Sequence, residues 1–191
     1  MRRVVVTEFM TLDGVIEDPG GAEDFAHGGW SFKFPDPEGM KYKLDEVMEF
    51  DALLLGRVTY EVFAAAWPDR TDEAGFADKM NSMAKYVVSS TLTEASWNNS
   101  TIISGDVAEE VAKLKQGAGG DILVGGSQTL VEALREHDLV DEYRLMVFPT
   151  VLGSGKRLFT EDTGTPTVLK LTDSKTLSTG TVILTYEPAR G

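Results

Sequence analysis

The sequence predicts an α/β protein whose sheet is mostly parallel, with antiparallel strands added at one edge. Three observations lead there. Short apolar runs alternate with stretches of helical periodicity as far as residue 134. From residue 142 onward only strand-like runs remain. No repeat, low-complexity tract or linker interrupts the 191 residues, so residues 1–191 are expected to form one domain.

Val4 to Phe9 is the first strand. A Gly-, Asp- and Pro-rich loop follows from Asp13 to Pro37 and carries Trp30, Phe32 and Phe34. Its length favours a functional loop, whose aromatics either line a pocket or pin it to the body. Met40, Leu44, Val47 and Met48 give helical spacing to the segment from Glu38 to Phe50. Ala52 to Leu55 is a short buried strand ending at Gly56. A helix then starts near Thr59 and continues through Tyr60, Val62, Phe63 and Ala66 to Pro68. Lys85 to Ser89 and Ser100 to Ser104 are the third and fourth strands, and Val107 to Gln116 is a helix. Ile122 to Val124 is a buried strand ending in Gly125-Gly126, and Leu130, Val131 and Leu134 mark the helix after it. Glu142 to Phe148 is a strand and Val151 to Phe159 a turn and return. Thr167 to Ser174 and Thr181 to Glu187 form a closing hairpin around Ser178-Thr179-Gly180.

Composition removes several function classes. With no cysteine, disulfides, thiolate nucleophiles and cysteine-held metals are out. His27 and His137 have no ligand-like spacing, so no metal is expected. A net charge of −13 repels polyanions, which disfavours nucleic-acid and anionic-membrane partners. A small anion still fits where basic side chains and backbone amides converge. No apolar run is long enough to span a bilayer and the N-terminus lacks the order of a signal peptide, so a cytoplasmic location is expected.

Three strand ends carry groups suited to phosphate. Gly125 and Gly126 permit a sharp turn and close approach of a ligand, and the helix after them offers unpaired N–H groups and the positive end of its dipole. Gly56-Arg57-Val58-Thr59 is a second strand-to-helix junction, with a guanidinium fork and a hydroxyl; the plain alternative is a cap at Thr59 and a solvated Arg57. Ser89, Ser90 and Thr91 put three hydroxyls at the end of the third strand. Ligands of open α/β sheets bind beyond such ends, and three together suit a dinucleotide. Two motifs fail. No G-x-G-x-x-G opens a β-α-β unit, and Gly153-Ser154-Gly155-Lys156-Arg157 departs from a P-loop at both ends and reads as a turn. Asp13, in Thr11-Leu12-Asp13-Gly14, is either a turn residue or a group for hydrogen bonding and proton transfer.

In order, Thr11-Leu12-Asp13-Gly14, Gly56-Arg57-x-Thr59-x-Glu61, Val88-Ser89-Ser90 and Gly125-Gly126-Ser127 resemble the dihydrofolate-reductase-like superfamily. So do Leu139-Val140-Asp141-Glu142 and the following Pro149-x-x-Leu152-Gly153-x-Gly155. Within that superfamily the chain is most similar to stand-alone relatives of the reductase domain of bifunctional riboflavin-biosynthesis proteins. The resemblance implies a three-layer αβα fold and NADPH-dependent hydride transfer to a small heterocyclic or carbonyl metabolite. Carried onto matching positions, Gly56, Arg57 and Thr59 hold phosphates, and Ser89 and Ser90, with Thr91 beside them, flank the adenosine 2′-phosphate. Gly125, Gly126, Ser127, Gln128 and Thr129 meet the pyrophosphate. Phe9, Thr11, Asp13 and Ile16 lie near nicotinamide and substrate, with Trp30 on the substrate side. Asp13, or a water it holds, is the candidate proton carrier.

Two departures bear on substrate. Met40 falls where folate reductases place their substrate-binding carboxylate, and Val124-Gly125-Gly126-Ser127 replaces the Glu-x-Gly-Pro turn of the riboflavin-pathway enzymes. Both departures point away from dihydrofolate and 5-amino-6-(5-phosphoribosylamino)uracil, whose reduction stands as an alternative to a reductase of unassigned substrate, beside a non-catalytic NADP(H)-binding or regulatory module and a pure interaction domain whose Gly-Gly turn is only structural. Finally, the apolar run from Tyr143 to Pro149 is expected near the antiparallel edge, which predicts a two-fold homodimer through Tyr143 to Phe159. The competing expectation is that the closing hairpin covers that edge.

Overall fold

The computed structural model describes residues 1–159 and 166–189. Among these, eight strands form one sheet, and why each lies where it does follows from its covering. The strands are β1 (Val4–Thr11), β2 (Ala52–Gly56), β3 (Ala84–Val88), β4 (Ser100–Ile103), β5 (Ile122–Gly125), β6 (Glu142–Phe148), β7 (Leu169–Thr176) and β8 (Val182–Pro188). Their spatial order is β4-β3-β2-β5-β1-β6-β8-β7. The first six are mutually parallel, and β8 and β7 join antiparallel. β2 reads as an unbroken apolar run, and β1 as one from Val4 to Val6 before Thr7 and Glu8, because helices bury both of their faces.

Those helices are α1 (Pro37–Glu49), α2 (Arg57–Ala66), α3 (Phe76–Ser82), α4 (Val107–Gln116) and α5 (Gln128–Glu136). Alternate residues of β1 feed two cores. Val4 and Val6 pack with Val111 of α4 and with Leu130, Val131 and Leu134 of α5. Val5 packs with Val47 of α1, Tyr60 of α2 and Met80 of α3. The three-layer αβα arrangement is thus written into the period-two alternation of the central strand. Asp36 starts α1 by accepting from the N–H of Glu38 and Gly39, with Pro37 at the first helical position, and Asp106 caps α4 through Glu109 N–H.

Three expectations are revised. The strand Glu142 to Phe148 is not an edge, since β8 pairs along it from Tyr143↔Tyr186 to Val147↔Val182. The closing hairpin covers it within the chain, and the edges among the described strands are β4 and β7. Strand pairing between copies through Tyr143 to Phe148 is closed off. Second, Val151 to Phe159 forms no strand, although the Phe159 ring lies 6.0 Å from Tyr143 of β6. The segment crosses to the loop after β1, where Arg157 bridges to Val15 and Lys156 pairs with Glu17 at 3.2 Å. Third, α3 escapes the sequence because seven residues with Ala77 and Met80 inward show too little periodicity. Asp72 starts it by accepting from Phe76 and Ala77 N–H.

Candidate functional site

The ends of β3, β2 and β5 lie side by side in the sheet, so the three predicted phosphate-friendly segments converge. α2 begins immediately after Gly56 and α5 immediately after Ser127. Neither N-terminus donates an N–H to a cap side chain. Their first-turn N–H groups are thereby left to a ligand or to water. The two helix starts also touch. A Cβ on Gly56 would stand 2.6 Å from Ser127 Oγ, and a Cβ on Gly126 would stand 2.8 Å from Thr59 Oγ1. Gly126 has φ +63°, and the Gly126–Ser127 peptide is cis. Only glycine admits both the conformation and the approach. Two N-terminal dipoles presented side by side fit a pyrophosphate, with Gln128 half-buried and Thr129 exposed in the first turn of α5.

The flanking groups divide. Ser90 and Thr91 are exposed, whereas Ser89 is buried and its Oγ accepts from Leu92 N–H at 2.9 Å and Thr91 N–H at 3.2 Å. Ser89 therefore shapes the turn and leaves the outward hydroxyls to its neighbours. Arg57 forms an exposed i,i+4 pair with Glu61 at 2.8 Å, a contact that is weak in water and easily exchanged for a phosphate. Ile16 packs against the α4/α5 core, its N–H donating to Lys156 O.

Where the sequence places the substrate, Phe9 near the C-terminal end of β1 lines a pocket of about 480 Å³, together with Phe32, Phe34, Met40, Lys43 and Phe148. The two roles open to the loop aromatics are shared out: Phe32 and Phe34 line the pocket and Trp30 pins the loop. Trp30 is wholly buried behind Phe148 at 5.3 Å, edge to face, and its indole N–H donates to Glu17 O. It supports the wall and does not reach the lumen, which corrects its assignment to substrate contact.

Thr11 and Asp13 are likewise committed to structure. Thr11 is fully buried, donating to Asp13 Oδ1 at 2.6 Å and accepting from Val15 N–H. Asp13 also accepts from Leu152 and Gly153 N–H, and Arg157 Nε donates to its carbonyl. Partial desolvation pushes its carboxyl upward, but the Thr11 hydroxyl and the two amides outweigh that and leave it below its ordinary value. An ionised Asp13 has no proton to give at neutral pH; it clasps the 150–157 turn and can orient a water. Asp13→Ala, which strands those two amides, is expected to lower the unfolding free energy by about 1–3 kcal/mol in denaturant titration. An unchanged midpoint would remove the clasp.

Two groups were missed. Glu8 of β1 lies beneath the Gly-Gly turn, its Oε1 accepting from Gly126 N–H at 2.8 Å. Burial drives its pKa from 4.5 up to about 8, against the smaller opposing effects of that amide and of Lys43. Lys43 of α1 reaches back to β1, donating to Thr7 Oγ1 at 2.7 Å and pairing with the buried Glu46. Thr7 is the register partner of Gly125, so Lys43 stands where the pocket meets the Gly-Gly turn. The available signal was the Thr7-Glu8 pair interrupting an otherwise apolar strand in its second half, toward the end where α/β sheets bind ligands.

Comparison with known proteins agrees with this architecture. The RibD C-terminal domain family model matches residues 2–183. The Bacillus subtilis (strain 168) protein YyaP is 34% identical over 188 residues, spanning 97% of this chain and 94% of its own. A Shewanella sp. PV-4 protein assigned to riboflavin biosynthesis superposes with a TM-score of 0.75 at 23% identity, covering 98% of this chain and 99% of that one. Dihydrofolate reductase from Enterococcus faecalis, in complex with NADP(H), superposes with a TM-score of 0.59 at 17% identity over 98% of this chain and 97% of its own. Among the described residues no helix is long and apolar enough to cross a membrane. With its sheet order, its paired helix starts and a family match along nearly its whole length, the chain belongs to the RibD C-terminal domain family, a reductase family with the dihydrofolate-reductase-like fold.

Proposed function

We propose that the protein is an NADPH-dependent reductase of a small metabolite. The observation that carries this is the contact between the α2 and α5 N-termini, which places two uncapped dipoles around one glycine cradle. Gly125, Gly126 and Ser127 would receive the pyrophosphate from one side and Gly56 and Thr59 from the other. Arg57 and the exposed Ser90 and Thr91 would take the 2′-phosphate, where no carboxylate other than the partner of Arg57 competes among the segments named. NADPH supplies hydride when bound. The protein's own part is to hold the ring against the end of β1, to exclude water with the aromatic wall, and to orient the acceptor with Lys43.

The test is a screen of carbonyl and heterocyclic metabolites that follows NADPH oxidation. Turnover of at least one is expected, lost together with cofactor affinity in the Gly126 variant considered below. Tight NADPH binding with no turnover across a broad screen would favour a non-catalytic NADP(H)-binding module.

A further inference from the structure

The pocket beside β1 is built for a particular chemistry. Four phenyl rings and two thioethers form its walls: Phe9, Phe32, Phe34 and Phe148 with Met40 and Met146. Phe148 is the centre of the ring packing, 5.2 Å from Phe9 and 5.9 Å from Phe34. Phe32 and Met40 remain 72% and 69% exposed, so apolar surface continues out to the mouth. Isolated apolar residues on a surface mean little, but a contiguous set leading into a cavity marks a ligand site.

Two charged residues line it among those described, Asp36 and Lys43. Asp36 is spent: Oδ1 accepts from Glu38 and Gly39 N–H, and Oδ2 accepts from the Ser178 hydroxyl and Thr179 N–H. Lys43 is neutralised by Glu46, whose carboxylate is fully buried. Its ammonium has three donors, and Thr7 and Glu46 engage two. The pocket therefore holds one uncommitted donor and no surplus positive charge. A phosphate or carboxylate entering it would lose water without gaining a cationic clamp.

We infer that this pocket takes an uncharged, flat, apolar carbonyl compound, its rings against Phe9 and Phe148 and its oxygen hydrogen-bonded by Lys43 Nζ. Lys43 is then the group that orients the acceptor. The reaction rests on the reductase reading above; the binding does not. The carbonyl carbon gains the hydride, the C=O π pair moves onto oxygen, and that oxygen takes a proton from water. NADPH is consumed as reductant and leaves as NADP⁺, and the product is the alcohol. Phosphoribosylated pyrimidines are excluded by the same charge balance.

The experiment titrates three probes calorimetrically into the full chain, with and without NADPH. They are 2-acetylnaphthalene, its anionic counterpart 2-naphthoate, and 5-amino-6-(5-phosphoribosylamino)uracil. The ketone is expected to bind at least about tenfold more tightly than either anion, and Lys43→Met to weaken it about tenfold, the scale of one charge-assisted hydrogen bond. Because Lys43→Met leaves the buried Glu46 only the Thr7 hydroxyl at 3.0 Å and Arg144 at 3.9 Å, the double variant Lys43→Met/Glu46→Gln carries the same test if the single one fails to fold. Equal or tighter binding of either anion, no binding of the ketone, or unchanged affinity in both variants would overturn the inference. Ketone binding without NADPH binding would leave the pocket assignment standing and overturn the reductase reading. NADPH binding without ketone binding would do the reverse.

Discussion

Gly126→Val is expected to abolish measurable NADPH binding, weakening it by more than about 100-fold, or near 3 kcal/mol. Two effects act together. The added side chain occupies the cradle where the pyrophosphate approaches, and its Cβ also meets Thr59 Oγ1 at 2.8 Å in a backbone with φ +63°. The second effect disturbs the fold whether or not a ligand is present, so stability must be read alongside affinity. Thr59→Ala separates them. It removes the Oγ1 and Cγ2 that crowd Gly126 and leaves a Cβ 3.6 Å away, so Gly126→Ala/Thr59→Ala relieves the internal clash. The double variant is expected to recover most of the melting temperature and to bind NADPH far more weakly than Thr59→Ala alone. If it binds as Thr59→Ala does, the turn is structural and the cradle lies elsewhere.

Glu8→Gln is expected to raise stability at alkaline pH and to flatten its dependence on pH. The folded carboxyl titrates near 8 and the unfolded one near 4.5. Below about 4.5 both states carry the proton and Glu8 has no influence. Between the two values the folded state binds the proton that the unfolded state has released, so unfolding becomes steadily easier as pH rises. Above about 8 the full cost of a buried carboxylate is present, on the order of 5 kcal/mol. Gln keeps an oxygen for Gly126 N–H and cannot ionise. Melting curves from pH 5 to pH 9 should therefore diverge, the variant gaining on the parent as pH rises. Parallel curves would mean that Glu8 stays ionised throughout. The same group links the cradle to pH: an ionised Glu8 sets a negative charge beneath the turn that receives the pyrophosphate.

The parts of the fold legible in the sequence are those fixed by local pattern. Val4 to Val6, Ala52 to Leu55 and Ile122 to Val124 announce buried strands because both faces are apolar there, and Gly-Gly after Val124 announces a turn by composition alone. What stays hidden depends on which elements meet. Nothing near Gly126 in sequence shows that Thr59 stands against it, and nothing near Ser89 shows its hydroxyl turned inward. Tyr143 to Phe148 reads the same as an edge or an interior strand until β8 is placed beside it. Trp30 is buried because Phe148, more than a hundred residues away, completes its packing. Asp13 carries the family motif, yet its partners Leu152 and Gly153 come from a distant turn, and these make it a clasp. Lys43 and Glu46 look like an ordinary i,i+3 surface pair and are instead half-buried and buried against Thr7.

On the proposed function, the α2 and α5 N-termini together hold NADPH. Calorimetric titration of the protein with NADPH and with NADH tests it most directly. Saturable binding of one NADPH per chain is expected, on the order of tenfold or more tighter than NADH, with the difference lost in Arg57→Ala. Equal affinity for the two cofactors, or binding of neither, would contradict it.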